Sequence, residues 1–136
     1  MSTISTGSNS DATGSPAPEA VGTVVCPLER IEVEGGVAAL VDGEAVAVFR
    51  TFDDQVFAIS NYDPYSKASV LSRGIVGSRA IDGNDVPFVA SPMHKQPFDL
   101  RTGRCLDDEA VGVPTYPVRV IDGVVVVGRR RESGGT

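Results

Sequence analysis

The sequence predicts a single all-β domain. Three observations lead there: a Val-rich stretch from residue 21 to about residue 128, turn signals at short intervals along it, and two Asp-Gly dipeptides set between apolar runs. Asp-Gly favours tight hairpins because both central residues of a type I′ turn need positive φ, which Gly adopts without steric cost. Asp42-Gly43 therefore separates a strand Val37–Val41 from a strand Ala45–Thr51, and Asp122-Gly123 separates Tyr116–Ile121 from Val124–Val127. Asp53-Asp54 reads as a looser turn ahead of Val56–Ser60, and Gly74–Arg79, Val86–Ala90 and Pro97–Leu100 complete the strand set. Residues 44–63 contain no Gly or Pro, so a helix competes there. The Val46/Val48 alternation, the aromatic residues and the central Asp pair favour two strands. A short turn or helix is expected near Ser66–Leu71. There is no internal repeat and no long amphipathic helix.

The 136 residues suit one domain, and a hydrophobic fraction of 41% is enough for a packed core. Acidic residues outnumber basic ones 18 to 12, for a net charge of -6, which argues against a nucleic-acid binder needing a basic face. No apolar run approaches the ~20 residues that cross a bilayer. Residues 1–20 are rich in Ser, Thr, Gly and Pro, with no basic start and no apolar segment. They are expected to form a disordered tail rather than a secretory signal. The folded domain then spans 21–128, followed by a basic tail, 129–136, that carries Arg129-Arg130-Arg131 as solubilising charge. Without an export signal the expected location is cytoplasmic, where Cys26 and Cys105 stay reduced. No Gly-x-Gly-x-x-Gly fingerprint, Walker loop or Gly-x-Ser-x-Gly elbow is present, so no catalytic residue is assigned.

Two stretches carry the chemistry. The first is Ile59-Ser60-Asn61-Tyr62-Asp63-Pro64-Tyr65, at the end of a predicted strand. The second contains Ser91-Pro92-Met93-His94, then Phe98-Asp99 and Thr102-Gly103. In order and spacing the second resembles the Cys-Pro-x-His ligand box of Rieske proteins, with its aromatic-Asp pair and Thr-Gly turn. The first lies where such proteins carry Cys-x-His. The resemblance implies a Rieske-type antiparallel β-sandwich or barrel, with a smaller subdomain in the cluster-binding region. A Rieske centre takes two thiolates on one iron and two imidazoles on the other. Carried over position by position, the cysteine sites are Asn61 and Ser91 and the histidine sites are Asp63 and His94. Three of the four ligands are replaced, and an amide and a hydroxyl cannot stand in for soft, deprotonated sulfur.

Cys26-Pro27-Leu28, the run from Ser91 to Gln96, and Gly112-Val113-Pro114-Thr115-Tyr116-Pro117-Val118 narrow the resemblance. Together they resemble the small subunits of bacterial assimilatory NAD(P)H nitrite reductases. That family keeps a Rieske-like frame without the cluster. The resemblance implies a large-subunit partner holding FAD, siroheme and an iron–sulfur cluster and reducing nitrite to ammonium. It implies no cofactor and no catalytic residue in this chain. Two alternatives remain open: an electron-transferring Rieske ferredoxin, and a mononuclear-metal protein using His94 with Asp63 or Asp99.

Three further expectations concern the two boxes. Asn61, Asp63, Ser91 and His94 are expected to converge and to hydrogen-bond one another or water, because buried polar groups are costly unless paired. Tyr62, Tyr65 and Met93 flank the boxes, and either meet a partner protein or pack over the site. Phe98, Thr102 and Gly103 read as structural, and both cysteines as small hydrophobes.

Overall fold

In a computed structural model that describes residues 22–129, fourteen strands form four antiparallel sheets. The N-terminal tail (1–20) and nearly all of the basic C-terminal tail lie outside the described residues. The strands are β1 (Thr23–Pro27), β2 (Gly35–Val41), β3 (Glu44–Arg50), β4 (Val56–Ser60), β5 (Tyr62–Asp63), β6 (Ala68–Ser69) and β7 (Ile75–Ile81), then β8 (Asn84–Ala90), β9 (Pro97–Asp99), β10 (Arg104–Cys105), β11 (Asp108–Gly112), β12 (Thr115–Tyr116), β13 (Val118–Ile121) and β14 (Val124–Val127). They assemble in the orders β1-β14-β13, β12-β4-β3-β2, β11-β10-β9-β8-β7 and β5-β6. Single 3-10 turns occur at Leu28–Arg30 and Leu71–Arg73. No helix of the described residues is long and apolar enough to cross a membrane.

Three hairpins share one solution. Asp42 and Gly43 have φ of 51° and 81°, Asp82 and Gly83 have 52° and 82°, and Asp122 and Gly123 have 51° and 80°. Each pair closes a two-residue loop with in-register strands on both sides, as Val41↔Glu44, Ile81↔Asn84 and Ile121↔Val124 show. Positive φ at both positions matches the right-handed twist of the flanking strands. The middle hairpin, at Asp82-Gly83, carries the same sequence signal, and it brings β7 and β8 closer together than the expected strands Gly74–Arg79 and Val86–Ala90.

The four-stranded sheet is the middle layer. On β3, Val46 and Val48 face one core with Ile31, Val41, Ala58, Tyr116, Val125 and Val127. Ala47 and Phe49 face a second core with Ile59, Leu71, Val89, Phe98 and Leu100. Because side chains alternate between faces, a strand buried on both sides reads as an unbroken apolar run. Residues 44–60 are thus two strands joined at Thr51–Gln55, where the Thr51 N–H donates to the Gln55 carbonyl at 2.8 Å, and the end of the segment, Tyr62–Asp63, forms the separate short strand β5.

Two expected elements differ in kind from the prediction. The expected strand Tyr116–Ile121 is divided at Pro117, which has no N–H to continue a ladder. Its first part, β12, pairs with β4 and its second, β13, pairs with β14, so the chain changes sheets there. The expected turn near Ser66–Leu71 is a short strand, β6, followed by the 3-10 turn that begins at Leu71. Strands β1, β10 and β11 were not predicted. β11 is Asp-Glu-Ala-Val-Gly, a composition with little intrinsic strand preference, and it forms because β10 offers an edge.

Everything from β5 to β11 is inserted between β4 and β12, two strands that pair with each other. The insertion builds the five-stranded sheet and packs it on the middle layer through the second core. Both sequence boxes belong to it or border it.

Candidate functional site

The two boxes form two loops of the same construction. One runs Asp63-Pro64-Tyr65-Ser66-Lys67 and the other Ser91-Pro92-Met93-His94-Lys95. Each is closed by a backbone hydrogen bond from its fifth residue to its first, Lys67 N–H to Asp63 O at 2.7 Å and Lys95 N–H to Ser91 O at 2.9 Å. Each lysine is left-handed, with φ of 58° and 64°. In each loop the side chain of the first residue also accepts the amide two residues on: Tyr65 N–H to Asp63 Oδ1 at 2.9 Å, and Met93 N–H to Ser91 Oγ at 3.2 Å. This is local side-chain capping of a turn by Asp and Ser. The shared pattern is visible in the sequence as two Pro-containing pentapeptides ending in Lys.

The first residues of the two loops meet. The Ser91 hydroxyl donates a short hydrogen bond to Asp63 Oδ2, and the Ser66 hydroxyl donates to the same oxygen at 2.9 Å. Asp63 is fully buried and Ser91 almost so. Burial alone pushes the Asp63 pKa up, but the hydrogen bonds from Ser91, the Tyr65 amide and Ser66 outweigh it and hold the carboxyl below its usual range. The His94 backbone N–H also points to Ser91 Oγ, with N and O 3.5 Å apart.

Asn61 and His94 do not join this pair through their side chains. Asn61 is buried, but its Oδ1 accepts the Ser72 N–H at 2.7 Å and its Nδ2 donates to the Ser69 carbonyl at 3.3 Å. It fastens the first loop to the 3-10 turn at Leu71–Arg73. The His94 side chain is exposed. Convergence is thus confined to Asp63 and Ser91, with Ser66 as a partner the sequence reading did not name. Asp99, considered with His94 as a metal ligand, instead binds Arg101 through both carboxylate oxygens, at 3.2 and 3.1 Å. Among the described residues no three His, Cys, Asp or Glu side chains gather in a metal-binding arrangement.

The flanking residues divide. Tyr62 and Met93 are exposed, at 45% and 60%. Tyr65 packs: its ring lies 6.1 Å from that of Phe98, and its hydroxyl sits 3.6 Å from Cys105 Sγ and 3.4 Å from Asp108 Oδ2. These contacts, the Cys105 hydrogen bond foremost, raise the Tyr65 pKa. Register places two more exposed apolar side chains at this end of the molecule. Leu40 is opposite Ala45, whose carbonyl accepts the Asn61 N–H, and Ile75 is opposite Ala90, the residue before Ser91. Lys67, His94 and Lys95 are exposed in the two loops and Arg73 in the neighbouring 3-10 turn, while Asp63, the acid within the loops, is buried. The exposed apolar residues of the loops therefore stand among cations, with exposed Asp42 on the hairpin beside Leu40. A surface groove of about 310 Å³, bordered by Phe52, Asp53, Asp85 and Arg101, is lined by none of the loop residues.

Cys105 is buried in the second core, and Cys26 is half-buried against the first, where burial raises its pKa. Both are free thiols.

Comparison with known proteins matches residues 23–128 to the Rieske-like [2Fe-2S] domain family. The nitrite reductase (NADH) small subunit of Salmonella typhimurium is 48% identical over 102 residues, 74% of this chain and 91% of that protein. A segment of the nitrite reductase [NAD(P)H] large subunit of Klebsiella oxytoca is 40% identical over 121 residues, 88% of this chain but 12% of that protein. The solution structure of the nitrite reductase [NAD(P)H] small subunit from Erwinia carotovora superposes with a TM-score of 0.64 at 45% identity, covering 82% of this chain and 84% of that one. The ferredoxin of carbazole 1,9a-dioxygenase from Nocardioides aromaticivorans superposes at 0.62 with 29% identity, covering 78% and 97%.

Proposed function

The chain belongs to the Rieske-like [2Fe-2S] domain family and, within it, to the nitrite reductase small subunits. From that premise we propose that it is a cluster-free docking subunit of an NAD(P)H nitrite reductase, bound to a large subunit that carries FAD, siroheme and an iron–sulfur cluster and reduces nitrite to ammonium in the cytosol. The likeness to small subunits over nine-tenths of their length carries the reading. The Klebsiella oxytoca large subunit supports the partnership, because there a homologous segment lies on the same polypeptide.

The donor chemistry supports the absence of a cluster. At the four positions equivalent to Rieske ligands stand Asn61, Asp63, Ser91 and His94, which offer one imidazole and no sulfur. Asn61 is already bonded on both sides of its amide. Cys26 and Cys105 belong to different cores, so they do not supply a thiolate pair. These residues do not fit a His₂Cys₂ cluster.

The loop end is the docking face in this reading. Tyr62 and Met93 supply exposed apolar contact area, and Lys67, Arg73 and Lys95 complement an acidic rim on the large subunit. Co-expression with a siroheme-bearing large subunit tests the proposal. The expected result is a complex that co-purifies at low salt and dissociates as salt rises, with NAD(P)H-dependent nitrite reduction. The double variant Tyr62→Ser, Met93→Ser should lose that complex while folding normally. Full activity of the large subunit alone, with no co-purification, would overturn the reading. Iron and acid-labile sulfide at two equivalents each in the purified small chain would restore the ferredoxin alternative.

A further inference from the structure

The four residues at the vestigial ligand positions are not equivalent, and one of them has taken over a mechanical task. A Rieske cluster is held by ligands from two loops, so besides carrying electrons it ties those loops together. Here the loops are joined across 28 residues of sequence by the bond from Ser91 Oγ to Asp63 Oδ2, and among the described residues this is the hydrogen bond that links them. We infer that Asp63 is the metal-free crosslink of this domain. Its carboxylate holds the two loops as one body and so positions Tyr62 and Met93 for docking on the large subunit. The docking half of this inference rests on the function proposed above.

Every hydrogen bond to the Asp63 carboxylate runs toward it. The Met93 amide, with the His94 amide near the same oxygen, points at Ser91 Oγ, which in turn donates to Asp63 Oδ2. The Ser66 hydroxyl shares that oxygen, and the Tyr65 amide takes Oδ1. An ionised carboxylate is acceptor-only, so it receives all three donors without conflict. Chains of aligned donors polarise one another in a buried setting, and no water competes for a carboxylate with no exposed surface. The hub also reaches beyond the loops. Asp63 fixes the Tyr65 backbone, and the Tyr65 ring and hydroxyl rest on Phe98 and Cys105 of β9 and β10. Tyr62 is adjacent to Asp63 and Met93 is two residues from Ser91, so both exposed contact residues are anchored within two residues of the crosslink.

Asparagine at position 63 separates charge from shape. Its carbonyl can keep the two hydroxyl donors, but its amide nitrogen then faces the Tyr65 N–H, donor against donor. Amide hydrogen exchange of the full chain, measured for the wild type, Asp63→Asn, Asp63→Ala and Ser91→Ala, reads the crosslink directly. In Asp63→Ala the amides of Tyr65, Met93 and His94 should exchange about tenfold faster or more, the equivalent of losing one charge-assisted hydrogen bond, while those of Val48 and Val89 stay protected. Ser91→Ala, which breaks the same bond from the other loop, should loosen Tyr65 in the first loop as well as Met93 and His94, and Asp63→Asn chiefly Tyr65. Titration of each variant with the large subunit should show weakened affinity in the same order as loop loosening. Wild-type exchange at the loops in Asp63→Ala overturns the crosslink, and loosened loops with unchanged affinity overturn its positioning role. If Asp63→Ala loses core protection as well, Ser91→Ala, which leaves the carboxylate in place, decides by the same criteria. A wild-type chain that fails to bind the large subunit overturns the docking reading, and the exchange comparison still decides whether Asp63 joins the loops.

Discussion

Alanine at Gly103 should destabilise the chain much more than alanine at Gly43, although the two glycines share one backbone conformation, with φ of 82° and 81°. Any side chain at either position incurs the left-handed penalty of about 1–2 kcal/mol. The surroundings differ. A Cβ at Gly43 meets nothing within 4 Å, whereas one at Gly103 would lie 2.1 Å from the Val113 carbonyl oxygen and 3.1 Å from Thr115 Cγ2. The Val113 backbone cannot simply withdraw, because its N–H donates to the Gly103 carbonyl at 2.8 Å, and the Gly103 N–H donates to Asp99 at 2.7 Å. Displacing a packed backbone segment adds about 1–3 kcal/mol by analogy with overpacked cores. The expected losses are then about 2–5 kcal/mol for Gly103→Ala and about 1–2 kcal/mol for Gly43→Ala. Urea unfolding at neutral pH, with equal slopes for both variants, measures each directly. Equal losses, or a milder effect at Gly103, would refute the claim that close approach fixes this glycine.

Two further outcomes test the frame. Phe98 is fully buried and meets the Tyr65 ring, so Phe98→Ala should cost about 3–5 kcal/mol and loosen the first loop together with the core; a loss under about 1 kcal/mol would contradict its place in the second core. Asp63 has a folded pKa below its unfolded value of about 3.9, so its contribution to stability is fully present above that value and is lost as pH falls through the folded pKa. No charged side chain is among its hydrogen-bond partners, which are Ser91, Ser66 and the Tyr65 amide. The gap in urea midpoint between wild type and Asp63→Asn should therefore hold from pH 7 to about pH 5 and narrow below about pH 4. A gap that persists unchanged to pH 2 would show that the carboxylate's charge is not what the site uses.

Much of the frame was legible in the chain. Asp-Gly pairs mark hairpins because the turn's φ requirement is met within two residues, and Val46–Phe49 reads as a strand because its apolar pattern is local. The Thr102-Gly103 turn and the Phe98-Asp99 pair stand where the motif places them. The two boxes themselves were legible as well, and within them the sequence offers one histidine and no cysteine.

What the sequence could not assign was which side chains face one another. Asp63 and Ser91 meet while Asn61 turns to Ser72 and His94 to solvent, and Tyr65 packs while Tyr62 stays exposed. Neighbours along the chain thus take opposite roles, because the alternation of a strand and the closure of a five-residue loop send adjacent side chains to different surroundings. The sequence by itself determined the Asp-Gly hairpins, the longer strands beside them and the absence of a thiolate pair in the boxes, since each depends on residues within a few positions. Only the tertiary structure decided that a carboxylate and a hydroxyl 28 residues apart would close the tip, because that contact depends on how the β5–β11 insertion packs back on the middle sheet.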